Sequence, residues 1–326
     1  MYHARTAMAD TARVDVAIQS YRKPESLLYT LMTLKRQSGV HIDTVWICDD
    51  RSDDGTVEAY ACPTVAEYFT PWRIRVRVNV VRTAWQHVRV PGSRYRSWWR
   101  DQAVVKATAD DVRYQWAIAN TDKAHVFGCH DDIEFTDDIV GLYLGRTTPE
   151  TFVVGDLGQC WRCGNYRDPR DGRIPGNTEG EARRRSGDCT PARLIAGYRP
   201  PRWPKTPPTS EGNWVCRVNE WSALVDVGMA RQIARRTGVL FGNYYDGADC
   251  AAFWFKTGVR LGYRFDEPLA PDVLWAGNDP RGRYYTHGWQ GHSGHSVWQD
   301  QGHGLATYDA EGVKRRMREQ FGTVLP

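Results

Sequence analysis

No apolar run in this sequence approaches the roughly 18 residues that a membrane-spanning helix needs, and the first thirteen residues, Met1 to Arg13, lack the apolar stretch of an export signal. The expectation is a cytoplasmic protein. There is no internal repeat, which excludes solenoids and propellers. Charge of one sign is also scarce: 43 Lys and Arg stand against 39 Asp and Glu, and a net +4 is too mild to argue for nucleic acid as partner. Hydrophobic residues at 41% and charged residues at 25% exclude a disordered chain or a fibre. Eight cysteines (48, 62, 129, 160, 163, 189, 216 and 250) would frame a small secreted disulfide domain, but 326 residues can bury a core without one. They are expected as thiols, or as thiolates on a metal.

What is present reads as a large α/β domain with an appendage. Val14-Asp15-Val16-Ala17-Ile18 is a buried strand. Pro24 then opens a helix on which Leu27, Leu28, Leu31 and Leu34 recur at helical spacing. Thr44 to Cys48 is a second strand and runs into Asp49-Asp50. Ile74, Val76, Val78 and Val80 alternate with Arg73, Arg75, Arg77 and Asn79 as in a half-buried strand. Val112 to Asn120 reads as a helix, and Ala124 to Cys129 as a strand ending at His130-Asp131-Asp132. Further on, Asn213 to Val225 and Val227 to Arg236 read as regular structure, Ala248 to Thr257 as a helix and Val259 to Phe265 as a strand. Alternating strands and helices imply a mostly parallel sheet with helices on its faces, and ligands bind such sheets beyond the carboxyl ends of the strands. Both acidic pairs fall there.

The middle is different. From Cys160 to Arg217 there are 12 Lys and Arg against 6 Asp and Glu, with 8 of the 17 prolines and Arg183-Arg184-Arg185 at its centre. This insert lacks the apolar periodicity to bury a core of its own. Cys160, Cys163, Cys189 and Cys216 would hold it if four thiolates bound a structural Zn²⁺; because a second C-x₂-C is missing, unliganded buried thiols are the next reading, and disulfide or redox chemistry the last. The expected organisation is a flexible tail (1–13), a first α/β half (14–159), the irregular insert (160–216), a second half (217–304) and a C-terminal helix or tail (305–326).

The carboxylates carry the chemistry. One can accept a hydrogen bond from a nucleobase edge, and another can hold a divalent cation against a diphosphate. "VDVAIQSYRKPESLLYTLMTLKRQSGVHIDTVWICDDRSDDGT" and "HVFGCHDDIEF" together resemble glycosyltransferase family 2, over roughly residues 14–60 and 110–140, and more loosely over 215–300. The resemblance implies the GT-A fold, which is Rossmann-like, and an inverting, metal-dependent transfer of a sugar from a nucleoside-diphosphate sugar to an acceptor hydroxyl. By the same resemblance Gln19, Ser20 and Tyr21 flank the nucleotide, Asp50 reads the base and Arg113 is the counterpart of an arginine before the metal strand. Asp131 contacts the ribose or the sugar, and Asp132 ligates Mn²⁺ or Mg²⁺. His130 departs from the commoner acid, which leaves its role open between ligand, donor and bystander.

A carboxylate suits the N3–H of uracil or thymine and equally the N1–H of guanine; a UDP-sugar is favoured. For the base that takes the acceptor proton, "NYYDGADCAAFWFKTG" offers Asp246, beside the permissive Gly247, and Asp249; either can instead cap the helix. "THGWQGHSGHSVWQ" places His287, His292 and His295 on a Gly-rich stretch, and a C-terminal His, His295 ahead of His292, would complete the metal shell. The acceptor, whether glycan, small molecule or protein, is unspecified. Two rivals are weaker. A sugar nucleotidyltransferase needs a Gly-rich phosphate loop that "IQSYRKPES" lacks. A non-enzymatic module binding polyanions or nucleic acid would rest on the basic, aromatic insert alone.

Overall fold

A computed structural model describes residues 13–52, 55–80, 95–98, 104–107, 109–158, 192, 195, 217–242, 250–268, 284–287 and 308–326. In chain order these form β1 (Val14–Ser20), α1 (Pro24–Ser38), β2 (Ile42–Asp49), α2 (Thr56–Ala61), α3 (Pro63–Phe69), β3 (Arg73–Val78), β4 (Tyr95–Trp98) and β5 (Val104–Ala107). There follow α4 (Gln115–Asn120), β6 (His125–Cys129), β7 (Ile133–Phe135), α5 (Ile139–Leu144) and β8 (Thr151–Gly158). The last group is β9 (Arg217–Asp226), α6 (Val227–Thr237), α7 (Ala252–Arg260), β10 (Arg264–Asp266), β11 (Tyr285–His287) and α8 (Ala310–Phe321). The expected α/β class is present: seven strands form one sheet in the order β10-β8-β9-β6-β1-β2-β3.

β6, β1, β2 and β3 run parallel to their neighbours, as does β10 to β8; β9 alone runs antiparallel, to both β6 and β8. Strands buried on both faces tend toward near-continuous apolar runs rather than alternation, and Val14 to Ile18 of β1 is such a run except for Asp15: Val14, Val16 and Ile18 pack with α1, α2, α3, α5 and α8, while Ala17 packs with α4, α6 and α7 on the opposite face. The four leucines of α1 are fully buried, each stabilising the fold by about 1.5–3 kcal/mol before entropy is counted.

One polar residue interrupts this apolar run. Asp15 accepts hydrogen bonds from the Thr44 amide (3.1 Å), Trp46 Nε1 (2.8 Å) and Thr121 Oγ1 (2.7 Å), so a buried carboxylate is satisfied by β2 and by the link between α4 and β6. A second, part-buried tie closes the far edge of α1. Glu134 of β7 accepts from Tyr29 Oη (2.6 Å), Arg316 (2.7 Å) and Gln320 (2.9 Å), joining α1 and α8 to the β7–β11 pair.

Several local expectations need correction. The predicted strand Val259–Phe265 is mostly helix and turn: α7 runs on to Arg260, and only Arg264–Asp266 pairs with β8. The buried run Phe253–Val259 continues the helical face, and the chain leaves it at Gly262, whose φ of +90° few other residues adopt. The predicted helix Val112–Asn120 begins only at Gln115, because Tyr114 takes a left-handed φ of 67° and leaves Arg113 in a turn. In β3 the alternation holds for Ile74 and Val76, which pack on the core, but Val78 and Val80 are exposed and Asn79 is the buried residue. The strand ends at Val78 on the edge of the sheet, where polar partners rather than apolar ones await the next residues.

Candidate active site

Parallel register brings the carboxyl ends of three strands together. Gln19 and Ser20 lie beside Cys48 and Asp49, and Ile18 lies beside Cys129. The loops that follow β1, β2 and β6 therefore converge, and with them the two acidic corners read from the sequence. The Asp50 amide donates to the Ser20 carbonyl (2.8 Å), and Ser26 Oγ donates to the Asp131 carbonyl (2.7 Å).

These loops use strained backbone. Among the described residues, the non-glycine residues with positive φ are Arg22, Arg51, Tyr114 and Ala251. Arg22 and Arg51 follow β1 and β2, and Tyr114 adjoins Arg113. Such conformations persist where surrounding structure enforces them, typically at functional sites. One brace is explicit. Asp49 accepts from the Ser52 amide (2.6 Å) and Ser52 Oγ (2.8 Å), and Ser52 Oγ in turn accepts from the Arg22 amide (3.0 Å). Of the pair Asp49-Asp50, the first therefore shapes the loop.

Asp50, 3% exposed, is held from the other side. Asn79 Nδ2 donates to its Oδ1 (3.0 Å). The Asn79 amide cannot be reversed without loss, since Cys48 Sγ (2.9 Å) and Arg77 (3.3 Å) both donate to its Oδ1. Arg77 is anchored by Asp111 at 2.8 Å, and Asp111 also accepts from the Val80 amide. The chain Asp111–Arg77–Asn79–Asp50 thus orients one carboxylate through three others' hydrogen bonds. Burial pushes the Cys48 thiol up to about 12, so it serves as a neutral donor.

The corner after β6 is built around charges. Lys23 Nζ lies 2.7 Å from Asp131 Oδ1, with both side chains buried. Burial opposes the ammonium's charge, but Asp131 and Asp132 outweigh it and raise the Lys23 pKa. Asp131 Oδ2 is buried and makes no hydrogen bond. His130 sits between two carboxylates, with Nδ1 3.8 Å from Asp132 and Nε2 3.6 Å from Glu220. Glu220 is fixed by Arg217, whose Nε (3.2 Å) and NH2 (2.9 Å) both donate to Oε2. Burial alone would raise the Glu220 carboxyl, yet Arg217, His130 and Arg113 hold it well below the usual carboxylate range. Arg113 lies electrostatically between the corners. Burial opposes its charge, but the Arg113 pKa is raised all the same, and the groups that raise it include the carboxylates Glu220 and Asp50.

β9 delivers Glu220 through an irregularity. Gly155 pairs with Ala223 but Leu157 pairs with Val218, so β9 bulges between them over residues 219–222. Because β9 is antiparallel to β6, its early residues lie beside the carboxyl end of β6, where the His130 amide donates to the Trp221 carbonyl (3.2 Å). Gly242 presses against the Arg113 carbonyl so closely that a Cβ there would collide with it, which locks the Arg113 turn to the end of the segment following α6.

The structure thus brings Asp50, Arg113, Asp131, Asp132 and His130 to one rim, together with Gln19, Ser20 and Tyr21 at the end of β1. Ser20 Oγ is engaged by Tyr60 Oη (2.6 Å), Gln19 Oε1 is buried with no hydrogen-bond partner, and the Tyr21 ring carries the Arg22 guanidinium at 5.3 Å. The predicted bases Asp246 and Asp249, the predicted ligands His292 and His295, and the predicted zinc cysteines Cys160, Cys163, Cys189 and Cys216 lie outside the described residues. Cys48, Cys62, Cys129 and Cys250 are free thiols, as expected. Lys23, Arg77, Asn79, Arg217 and Glu220 were not singled out by the sequence. The alternation of β3 did put Arg77 and Asn79 on one face; nothing in the sequence singled out the other three.

Among the described residues no group of three or more His, Cys, Asp or Glu is arranged as a ready metal cage. That is compatible with Mg²⁺ or Mn²⁺ bound together with a diphosphate, since such ions take one or two carboxylates and complete their shell from phosphates and water. The donors at this corner, the Asp132 carboxylate and the His130 imidazole, are of a kind that such an ion accepts.

By its fold the chain is a mixed α/β protein with a mostly parallel central sheet flanked by helices. No protein-family model and no curated protein matches it. Among solved structures it is similar to the mannosyltransferase PcManGT from Pyrobaculum calidifontis in complex with GDP-Man and Mn²⁺, with a TM-score of 0.43 and 14% identity, covering 81% of this chain and 56% of that one. The chain thus spans just over half the length of that enzyme. No helix among the described residues is long and apolar enough to cross a membrane.

Proposed function

We propose that the protein is a metal-dependent, inverting glycosyltransferase that moves a sugar from a nucleoside-diphosphate sugar to an acceptor hydroxyl. The observation that carries this reading is the convergence, at the carboxyl ends of adjoining parallel strands, of a braced single carboxylate (Asp50) and an acid pair (Asp131-Asp132), with Lys23 and Arg113 as nearby cations. A base edge and a diphosphate make these two different demands, and a nucleoside diphosphate joins them in one molecule.

In this reading Asp50 accepts the N–H of the base, held in orientation by Asn79. Arg113 contributes a fixed positive charge between the base and the phosphates. Asp132, with His130, would hold Mn²⁺ or Mg²⁺, and a C-terminal histidine, His295 or His292, would join them. When bound, the metal neutralises charge developing on the departing diphosphate. Asp131 turns its unmatched oxygen toward the ribose or sugar. Asp246 or Asp249 takes the proton of the acceptor hydroxyl, which is the step an inverting transfer requires of the protein.

The test is thermal stabilisation by UDP, dTDP, GDP and CMP, each with Mn²⁺ and with EDTA. A ligand at 100 times its Kd adds about 2.7 kcal/mol. One diphosphate stabilising with Mn²⁺ and much less in EDTA is the expected result and names the base. No shift with any of the four would overturn the donor-site reading.

A further inference from the structure

The acid pair after β6 already holds a cation of its own. Lys23 is delivered to Asp131 by the backbone: Arg22 takes a left-handed φ of 52°, Lys23 forms the N-cap of α1, and Pro24 starts the helix. Ser26, one turn on, donates its hydroxyl to the Asp131 carbonyl, so a single turn fixes both the ammonium and its partner. The ion pair at 2.7 Å is buried on both sides, which removes most of the screening that weakens surface pairs. A divalent ion held by Asp132 therefore sits beside a fixed positive charge that is paired to the neighbouring carboxylate, Asp131.

Resting on the donor-site reading above, we propose that Lys23 is a positioning residue that serves as the internal counter-ion of Asp131 and makes divalent-metal binding conditional on the donor's diphosphate. With the acid pair half-neutralised, the protein offers a metal too little negative charge by itself. The diphosphate supplies both the missing charge and the missing oxygen ligands. Metal and nucleotide then strengthen each other's binding by one common factor, as linkage requires. A direct contact between Lys23 and the diphosphate is the competing role and predicts a different outcome.

The experiment is calorimetric titration of the full chain with MnCl₂, alone and with the nucleoside diphosphate that binds. Wild type should bind Mn²⁺ weakly alone and about a hundredfold more tightly with nucleotide. Lys23→Met should bind Mn²⁺ alone about tenfold more tightly than wild type, and the metal–nucleotide coupling should shrink by the same factor. The double variant Lys23→Met/Asp131→Asn should lose that gain, because the gain depends on the released carboxylate. If Lys23→Met does not melt cooperatively, Lys23→Gln, which keeps a hydrogen bond to Asp131 without the charge, carries the same comparison. A folded variant with unchanged or weaker Mn²⁺ affinity overturns the proposal, and so does one that loses nucleotide affinity while its Mn²⁺ affinity stays fixed, since that assigns Lys23 to the diphosphate. Failure of wild type to bind any nucleoside diphosphate sinks the donor-site reading itself, which is read from wild type alone.

Discussion

The two sides of the candidate site are built by opposite rules. On the Asp50 side, β1, β2 and β3 run parallel, each functional residue follows the end of its strand, and neutral hydrogen bonds through Asn79 and Cys48 do the aiming. On the Asp132 side, an antiparallel strand enters the site from its beginning, bulges, and presents Arg217 and Glu220 as a buried ion pair against His130. The first side orients a carboxylate by geometry. The second holds it by charge, and a buried charge that loses its partner costs far more than a neutral hydrogen bond that loses one.

That contrast can be broken at graded cost. Asp132→Ala should abolish turnover, a loss of about a thousandfold or more in kcat with the fold intact; near-normal activity would remove Asp132 from the metal assignment. Glu220→Gln removes the buried carboxylate that faces both Arg217 and His130 and should cost about 3–5 kcal/mol in urea unfolding. A loss under 1 kcal/mol would mean that the charge-held side is no more fragile than the other. Asn79→Ala, its neutral counterpart, should cost about 1–3 kcal/mol and weaken nucleotide binding about tenfold while leaving Mn²⁺ binding in the absence of nucleotide unchanged. An equal effect on both ligands would show that the two sides are not independent.

Away from the site, Asp138 caps α5 by accepting from the Gly141 amide (2.9 Å) and also accepts from Ser38 Oγ (2.6 Å) and faces His41. Burial tends to raise its carboxyl, but Ser38, the Gly141 amide and His41 lower it below the usual range. A depressed carboxyl contributes stability that is complete above the unfolded value near 3.9 and is lost as pH falls through the folded one. Asp138→Ala should therefore cost about 1 kcal/mol at neutral pH, and its gap from wild type should close below about pH 4. Val80→Lys, at a half-exposed edge position, should change stability by less than about 0.5 kcal/mol.

The same contrast explains what the sequence disclosed. β1, α1, β2 and β6 were legible because apolar period and acidic termini coincide there, and in a parallel sheet a carboxyl end is a location as well as a position in the chain. By that rule the acidic pairs Asp49-Asp50 and Asp131-Asp132 stood out at strand ends, and the family resemblance then chose among them. Glu220 did not, since in an antiparallel strand the site lies at the other end, and the bulge that aims it has no signature in residue type. Asn79 was hidden by its neighbours: the valines at 78 and 80 looked like core, and the edge position reversed the roles. The Arg113 turn was hidden by a left-handed Tyr114, which no propensity suggests. Lys23 was visible as a residue but not as a partner, because its meaning depends on an aspartate 108 positions later.

Asp15 acts as a proofreader of assembly. Its three donors arrive from positions 29, 31 and 106 residues along the chain, so its carboxylate is content only when β2 and the link before β6 have both found β1. A chain that slips by one residue, or that docks one neighbour without the other, strands a charge in the middle of the sheet and is driven back apart. The residue that touches no ligand in any reading of this protein thereby ties β1 to β2 and to the link that leads into β6.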